Sequence, residues 1–156
     1  MSLEYNETQY FRHPLIIALV AGVAVITWYT ILIEGDTMGP VQLLLLAVIG
    51  ILIPLLFATL RLETRVSVDG IIYRMPPVVW KKRIIPWNDL LAVDLITVRP
   101  IRDCGGWGIR FCLGEGIAYI VSGNQVIRCT KKTKEKVLLG TRHPEEIMTA
   151  IRTYFS

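Results

Sequence analysis

A chain of 156 residues that is 53% hydrophobic and has a positive mean hydropathy is too apolar for an ordinary soluble domain of this size. Its 17 lysines and arginines against 13 acids give a formal charge of +4. Neither the apolar excess nor the charge is evenly spread, and their separation sets the reading of the chain.

The first segment, residues 1–13, is an acidic leader carrying Glu4 and Glu7 against Arg12. From Pro14 to Ile33, and again from Thr37 to Leu60, there is no charged residue. Each run reaches the roughly 20 residues needed to cross about 30 Å of hydrocarbon. A transmembrane hairpin over 14–60 is therefore expected, with spans at about 14–33 and 38–60 and a tight connection from Glu34 to Gly39. A secretory signal is the rival reading of the first run. The acidic leader, the lack of an A-x-A site and the early arrival of a second apolar run favour spans. Tyr10 and Phe11 before the first span, and Trp28 and Tyr29 near its far end, suit interface depth. Pro54 falls inside the second span, where it removes a backbone hydrogen bond. Gly22 and Gly50 permit close helix approach without forming a G-x-x-x-G pair.

Orientation follows from the basic residues. Arg12 is the one basic residue before Arg61, the loop between the spans has none, and the other 16 follow Leu60. The lysine and arginine bias puts both termini in the cytoplasm of a multi-pass protein of the cell (inner) membrane. Cys104, Cys112 and Cys129 all lie in the last segment, so free thiols in a reducing compartment are expected.

Residues 61–156, with 16 basic and 9 acidic side chains, read as a β-rich domain. Apolar and polar residues alternate from Leu62 to Val68, Asp69-Gly70 supplies a hairpin turn, and Ile71 to Met75 returns, ending at Pro76-Pro77. Further strands are expected at Lys82–Trp87, Leu91–Val98, Gly108–Leu113, Ile117–Val121, Val126–Thr130 and Lys136–Gly140. Helical spacing occurs only at the end, where Ile147, Ala150, Ile151 and Tyr154 share one face. Thr141 is the expected cap, and Pro144, Glu145 and Glu146 suit the first turn. The fold class is α+β: a helical hairpin, then a curved sheet or partly open barrel closed by one helix.

Gly106-Trp107-Gly108-Ile109-Arg110, the glycine-punctuated run Ala118 to Val126, and the closing stretch Leu138 to Ile147 resemble the bacterial membrane-anchored proteins of the pleckstrin-homology-like (PH-like) superfold, as does the hairpin of spans in front. That resemblance covers nearly the whole chain. It implies a PH-like β-barrel or curved antiparallel sheet with a C-terminal capping helix, and it brings no catalytic residues with it.

The chemistry-bearing residues point to binding rather than reaction. His13 and His143 lack metal-ligand spacing, so neither a metal nor a cofactor is expected. Ser122 sits in a turn-like Ser-Gly-Asn, and Cys112 alternates within an apolar strand, so neither reads as a nucleophile. The glycines at 105, 106 and 108 do not match a phosphate loop. Trp107 is a core or rim aromatic, or else a contact for a partner. Two basic clusters stand out: Lys81, Lys82 and Arg83, and Lys131, Lys132 and Lys134 with Lys136. Each basic side chain near an anionic leaflet contributes about 1 kcal/mol of attraction. They serve either as lipid contacts or as solubilising hairpin tips. Nucleic acid is not an expected partner, for want of an aromatic-basic platform. The expected function is a non-enzymatic, membrane-anchored interaction module or scaffold, binding another membrane protein or itself. The alternative is a lipid-responsive module reading anionic headgroups.

Overall fold

Each of the two uncharged runs forms one helix in the computed structural model, which describes residues 4–155. Helix α1 spans Pro14–Glu34 and α2 spans Pro40–Thr59, joined by a 3-10 turn at Gly35–Thr37. A proline opens each helix, where its missing N–H belongs to an end already lacking a partner. The Gln42 side chain accepts the Gly39 N–H at 3.2 Å. Both helices are long and apolar enough to cross a membrane. Their hydroxyls turn back on their own helix, Thr27 to the Val23 carbonyl and Thr59 to that of Leu55, each at 2.8 Å. Helices in an apolar medium must satisfy polar groups this way. At Gly50 an added Cβ would stand 3.2 Å from Thr27 and 3.4 Å from Trp28, so this glycine permits the close approach of α1 and α2. Gly22 has open space instead.

Residues 11–60 form one unit, and the chain up to Tyr10 forms the other together with everything from Arg61 onward. The leader is thus part of the β domain. It supplies strand β1, Tyr5–Tyr10, which pairs antiparallel with β2, Arg61–Ser67, so that Tyr10 lies opposite Arg61. Strands β3, Gly70–Met75, and β4, Val79–Pro86, complete a four-stranded sheet in the order β1-β2-β3-β4. The β2–β3 turn needs glycine at position 70. Its φ is +143°, and a Cβ there would meet the Ile85 carbonyl at 2.2 Å.

The second sheet has five strands in the order β5-β8-β9-β7-β6. They are β5, Leu90–Thr97; β6, Gly108–Cys112; β7, Gly116–Ile120; β8, Gln125–Lys131; and β9, Lys136–Gly140. The pairs β5–β8, β8–β9 and β6–β7 are antiparallel, whereas β7 and β9 run parallel. That parallel pair departs from the wholly antiparallel sheet expected of this domain. A short helix α3, Pro100–Cys104, which the alternation pattern does not announce, precedes β6.

Two layers of core follow. On one face of the second sheet, Ala118, Ile120, Val126 and Leu138 pack with Val98, Cys104 and Cys112. Toward the first sheet, Tyr119 meets Tyr73 edge-on at 5.0 Å, beside fully buried Leu62, Val66, Ile71, Ile127 and Leu139. The amphipathic helix α4, Pro144–Tyr154, buries Ile147, Ala150 and Ile151 and packs against β1, β2 and β8. Trp87 stacks on Tyr154 and Phe155 and donates to the Ser67 carbonyl at 3.0 Å.

Thr141 does not cap α4. The flanking residue is His143, and Thr141 instead accepts the His143 N–H at 3.2 Å and donates to Glu7 at 2.9 Å.

Candidate functional site

Between the two sheets lies a cleft of about 590 Å³, lined by Tyr73, Arg83, Phe111, Tyr119, Lys131, Lys134 and Lys136 among others. Strand alternation builds it. Ile85 is buried against the core, so Arg83, two positions earlier on β4, points to the same side. On the other wall the β8–β9 turn closes through the Lys134 N–H to Lys131 carbonyl and the Lys131 N–H to Glu135 carbonyl bonds, at 2.9 Å each. Lys134 occupies the left-handed region at φ 66°, an uncommon conformation for a residue with a side chain.

The cleft gathers four cations against one carboxylate, Glu135. Lys131 pairs with Glu135 at 3.0 Å, and Lys136 reaches the Gly114 carbonyl at 3.0 Å and Glu115 at 3.5 Å. Among the described residues Arg83 and Lys134 make no ion pair with an acid. The two tyrosines are buried, at 5% and 3% exposure. Burial first and the neighbouring Tyr119 second push the Tyr73 phenol up to about 12, with Arg83 opposing the shift. At neutral pH Tyr73 keeps its proton and remains a donor. Cations, a phenol donor and an apolar wall at Phe111 and Ile117 are the chemistry that holds a phosphate or carboxylate joined to an apolar body.

Four of the seven lysines and arginines singled out in the sequence therefore meet: Arg83, Lys131, Lys134 and Lys136. The other three do not. Lys82 points to the outer face of the first sheet, where it borders a shallow hollow with Glu63, Arg65 and Arg74. Lys81 and Lys132 are exposed outside the cleft. Trp107 is half-buried and packs against the Val98–Cys104–Cys112 cluster, at the rim of that core. Nothing in the sequence marks Tyr73 and Tyr119 as cleft residues beyond their inward phase on their strands.

A polar network ties the leader into this domain. Glu7 and Gln9 are only 6% and 1% exposed. Glu7 accepts from the Arg142 N–H at 2.8 Å, from Thr141 at 2.9 Å and from the Tyr5 hydroxyl at 2.8 Å. Burial, with Glu7 next in order, drives the Tyr5 phenol well above its ordinary range. Gln9 donates to the Gly140 carbonyl at 2.7 Å and accepts from Ser122 at 3.2 Å, and Ser122 in turn accepts from Arg142 at 2.8 Å.

The cysteines correct the expectation of three free thiols. Cys104 and Cys112 form a disulfide with Cα atoms 4.2 Å apart, because α3 and the Gly105-Gly106 turn fold the chain back onto the end of β6. Cys129 is free, and burial pushes its thiol up to about 12. His143 stands 3.5 Å from Glu146 on the exposed start of α4.

Comparison with known protein families, curated proteins and solved structures returned no match.

Proposed function

We propose that this chain is a membrane-anchored, non-enzymatic binding module whose β domain takes the anionic headgroup of a phospholipid in the cleft between its sheets. The observation that carries this reading is the meeting of Arg83 with Lys131, Lys134 and Lys136 around the Tyr73–Tyr119 pair. Two basic clusters far apart in sequence converge on one concave site, which solubilising hairpin tips would have no cause to do. Sequence alone favours partner binding, and the cleft moves the preference to lipid.

The helices anchor the domain. Because β1 and β2 flank the hairpin and pair with each other, the chain leaves and re-enters on one side, and the lysine and arginine bias assigns that side to the cytoplasm. The Cys104–Cys112 bond argues for an oxidising side. We give the charge bias precedence because it acts during insertion, whereas a pair of adjacent cysteines follows whatever redox poise it meets. In its finer identity the β domain is proposed to be PH-like, on the support of two packed sheets followed by a C-terminal helix.

A test is titration of the full chain in neutral detergent with short-chain phosphatidylglycerol and with phosphatidylcholine. At roughly 1 kcal/mol per basic side chain, losing two of them weakens binding about thirtyfold. The pair Arg83→Glu and Lys134→Glu should show at least that loss for phosphatidylglycerol. Equal affinity for the two lipids would refute the reading.

A second reading, self-association through the helices, draws on an apolar hollow of about 240 Å³ lined by Ile17, Val20, Ala21, Ala24, Pro54 and Phe57. Its check is the mass of the chain extracted in mild detergent.

A further inference from the structure

The β3–β4 hairpin carries an apolar tip that the core does not use. Val78 in the turn is 58% exposed and Trp80, the second residue of β4, is 70% exposed, followed by exposed Lys81 and Lys82. An exposed tryptophan of this degree on a β-strand is unusual, since its indole offers more apolar area than most side chains in a protein.

Its place in the sheet gives it a use. The Arg61 N–H donates to the Pro76 carbonyl at 3.2 Å, and Tyr10 lies opposite Arg61. The Pro76–Val78 turn is therefore at the end of the sheet from which the chain enters its two apolar helices. Only Leu60 separates the last residue of α2 from the first of β2. With α2 in a bilayer, the one-residue link through Leu60 keeps Arg61, and the Pro76 carbonyl bonded to it, within short chain reach of the bilayer surface. Trp80 is two residues, about 7 Å of strand, beyond Val78. Headgroup depth is where tryptophan concentrates, and the lysines beside it complement anionic lipid.

We infer that Val78 and Trp80 form an interfacial anchor, with Val78 entering the acyl boundary, Trp80 at headgroup level and Lys81 and Lys82 on the phosphates. The occupant of this surface is the bilayer itself. The inference is separate from the cleft, because Val78, Trp80, Lys81 and Lys82 do not line it.

The test places a spin label on the full chain in vesicles of phosphatidylcholine and phosphatidylglycerol. Trp80→Cys, labelled after mild oxidation has closed the Cys104–Cys112 bond, offers one reactive thiol, since Cys129 is buried. Asp69→Cys, in the exposed turn at the other end of β3, is the aqueous reference. The label at 80 should collide more with oxygen than with a water-soluble nickel complex, and the label at 69 should show the reverse order. A thermal unfolding midpoint close to the parent's reports folding of both variants. Matching collision behaviour at 80 and 69 overturns the inference, as does spin–spin broadening at 80, which would assign the surface to a second copy. Arg83→Glu with Lys134→Glu should leave the label at 80 unmoved, so loss of headgroup selectivity and loss of the anchor are read apart.

Discussion

Tyr10 and Arg61 lie opposite one another in the β1–β2 ladder, although the whole helical hairpin separates them in the chain. The ladder makes the leader an edge strand of the β domain, and buried Glu7 and Gln9 fasten it to the Gly140–Arg142 segment. A domain completed by residues on both sides of the helical hairpin in the chain cannot be inverted one end at a time.

Removing those fasteners should loosen the domain. Gln9→Ala leaves the Gly140 carbonyl and the Ser122 hydroxyl without their partner in a buried site, at a cost of about 1–3 kcal/mol. Glu7→Ala removes the acceptor for three donors and should cost at least as much. Thermal unfolding of each variant in one detergent, followed by circular dichroism, measures the loss. Thr8→Ala, on the exposed face of β1, should change little.

Gly116 is under tighter constraint than its neighbour Gly114. Its φ is +87° and a Cβ would stand 2.3 Å from the Lys136 carbonyl, whereas Gly114, at φ +77°, faces open space. Gly114→Ala carries only the left-handed penalty, roughly 1–2 kcal/mol. Gly116→Ala adds a backbone clash and should part β7 from β9, destabilising by about 2 kcal/mol more. Comparing the two midpoints separates strain from clash.

Acid should act through Glu63. Burial raises its pKa, but hydrogen bonds from Arg74 and Arg61 outweigh that, and the net position is below the ordinary 4.5. A carboxyl lowered on folding contributes stability above its unfolded pKa and loses it as pH falls through the lowered folded value. Glu63→Gln should therefore be less stable than the parent at pH 7, with the gap closing below about pH 4. Melting curves at both pH values check the sign.

The cysteines report sidedness. With the domain in the cytoplasm, alkylation of intact cells followed by denaturation should find Cys104 and Cys112 as thiols, and the bond should form on exposure to oxidant. A disulfide already complete in cells with a reducing cytoplasm would place the domain on the opposite side, against the charge bias.

The helices are legible in the sequence because a soluble domain rarely leaves about twenty consecutive residues without a charge. Strands β2 through β9 are legible because alternation and turn glycines mark half-buried strands. Strand β1 is not. Its buried positions, Glu7 and Gln9, are polar, so the leader carries no apolar alternation, and its partners lie beyond the hairpin. Helix α3 is a single turn, too short for a helical period. The Cys104–Cys112 pairing depends on that turn and is hidden with it. Of the cleft, the cations are visible as two clusters, but which of them converge is decided by strand phase: Arg83 faces inward with Ile85, while Lys82 faces out.

Selective retention of lipid by the cleft is tested most directly by native mass spectrometry of the full chain released from vesicles of equal phosphatidylglycerol and phosphatidylcholine. A dominant phosphatidylglycerol adduct is expected, and it should disappear with Arg83→Glu and Lys134→Glu while the fold persists. Equal adducts of both lipids, unchanged by those substitutions, would contradict it.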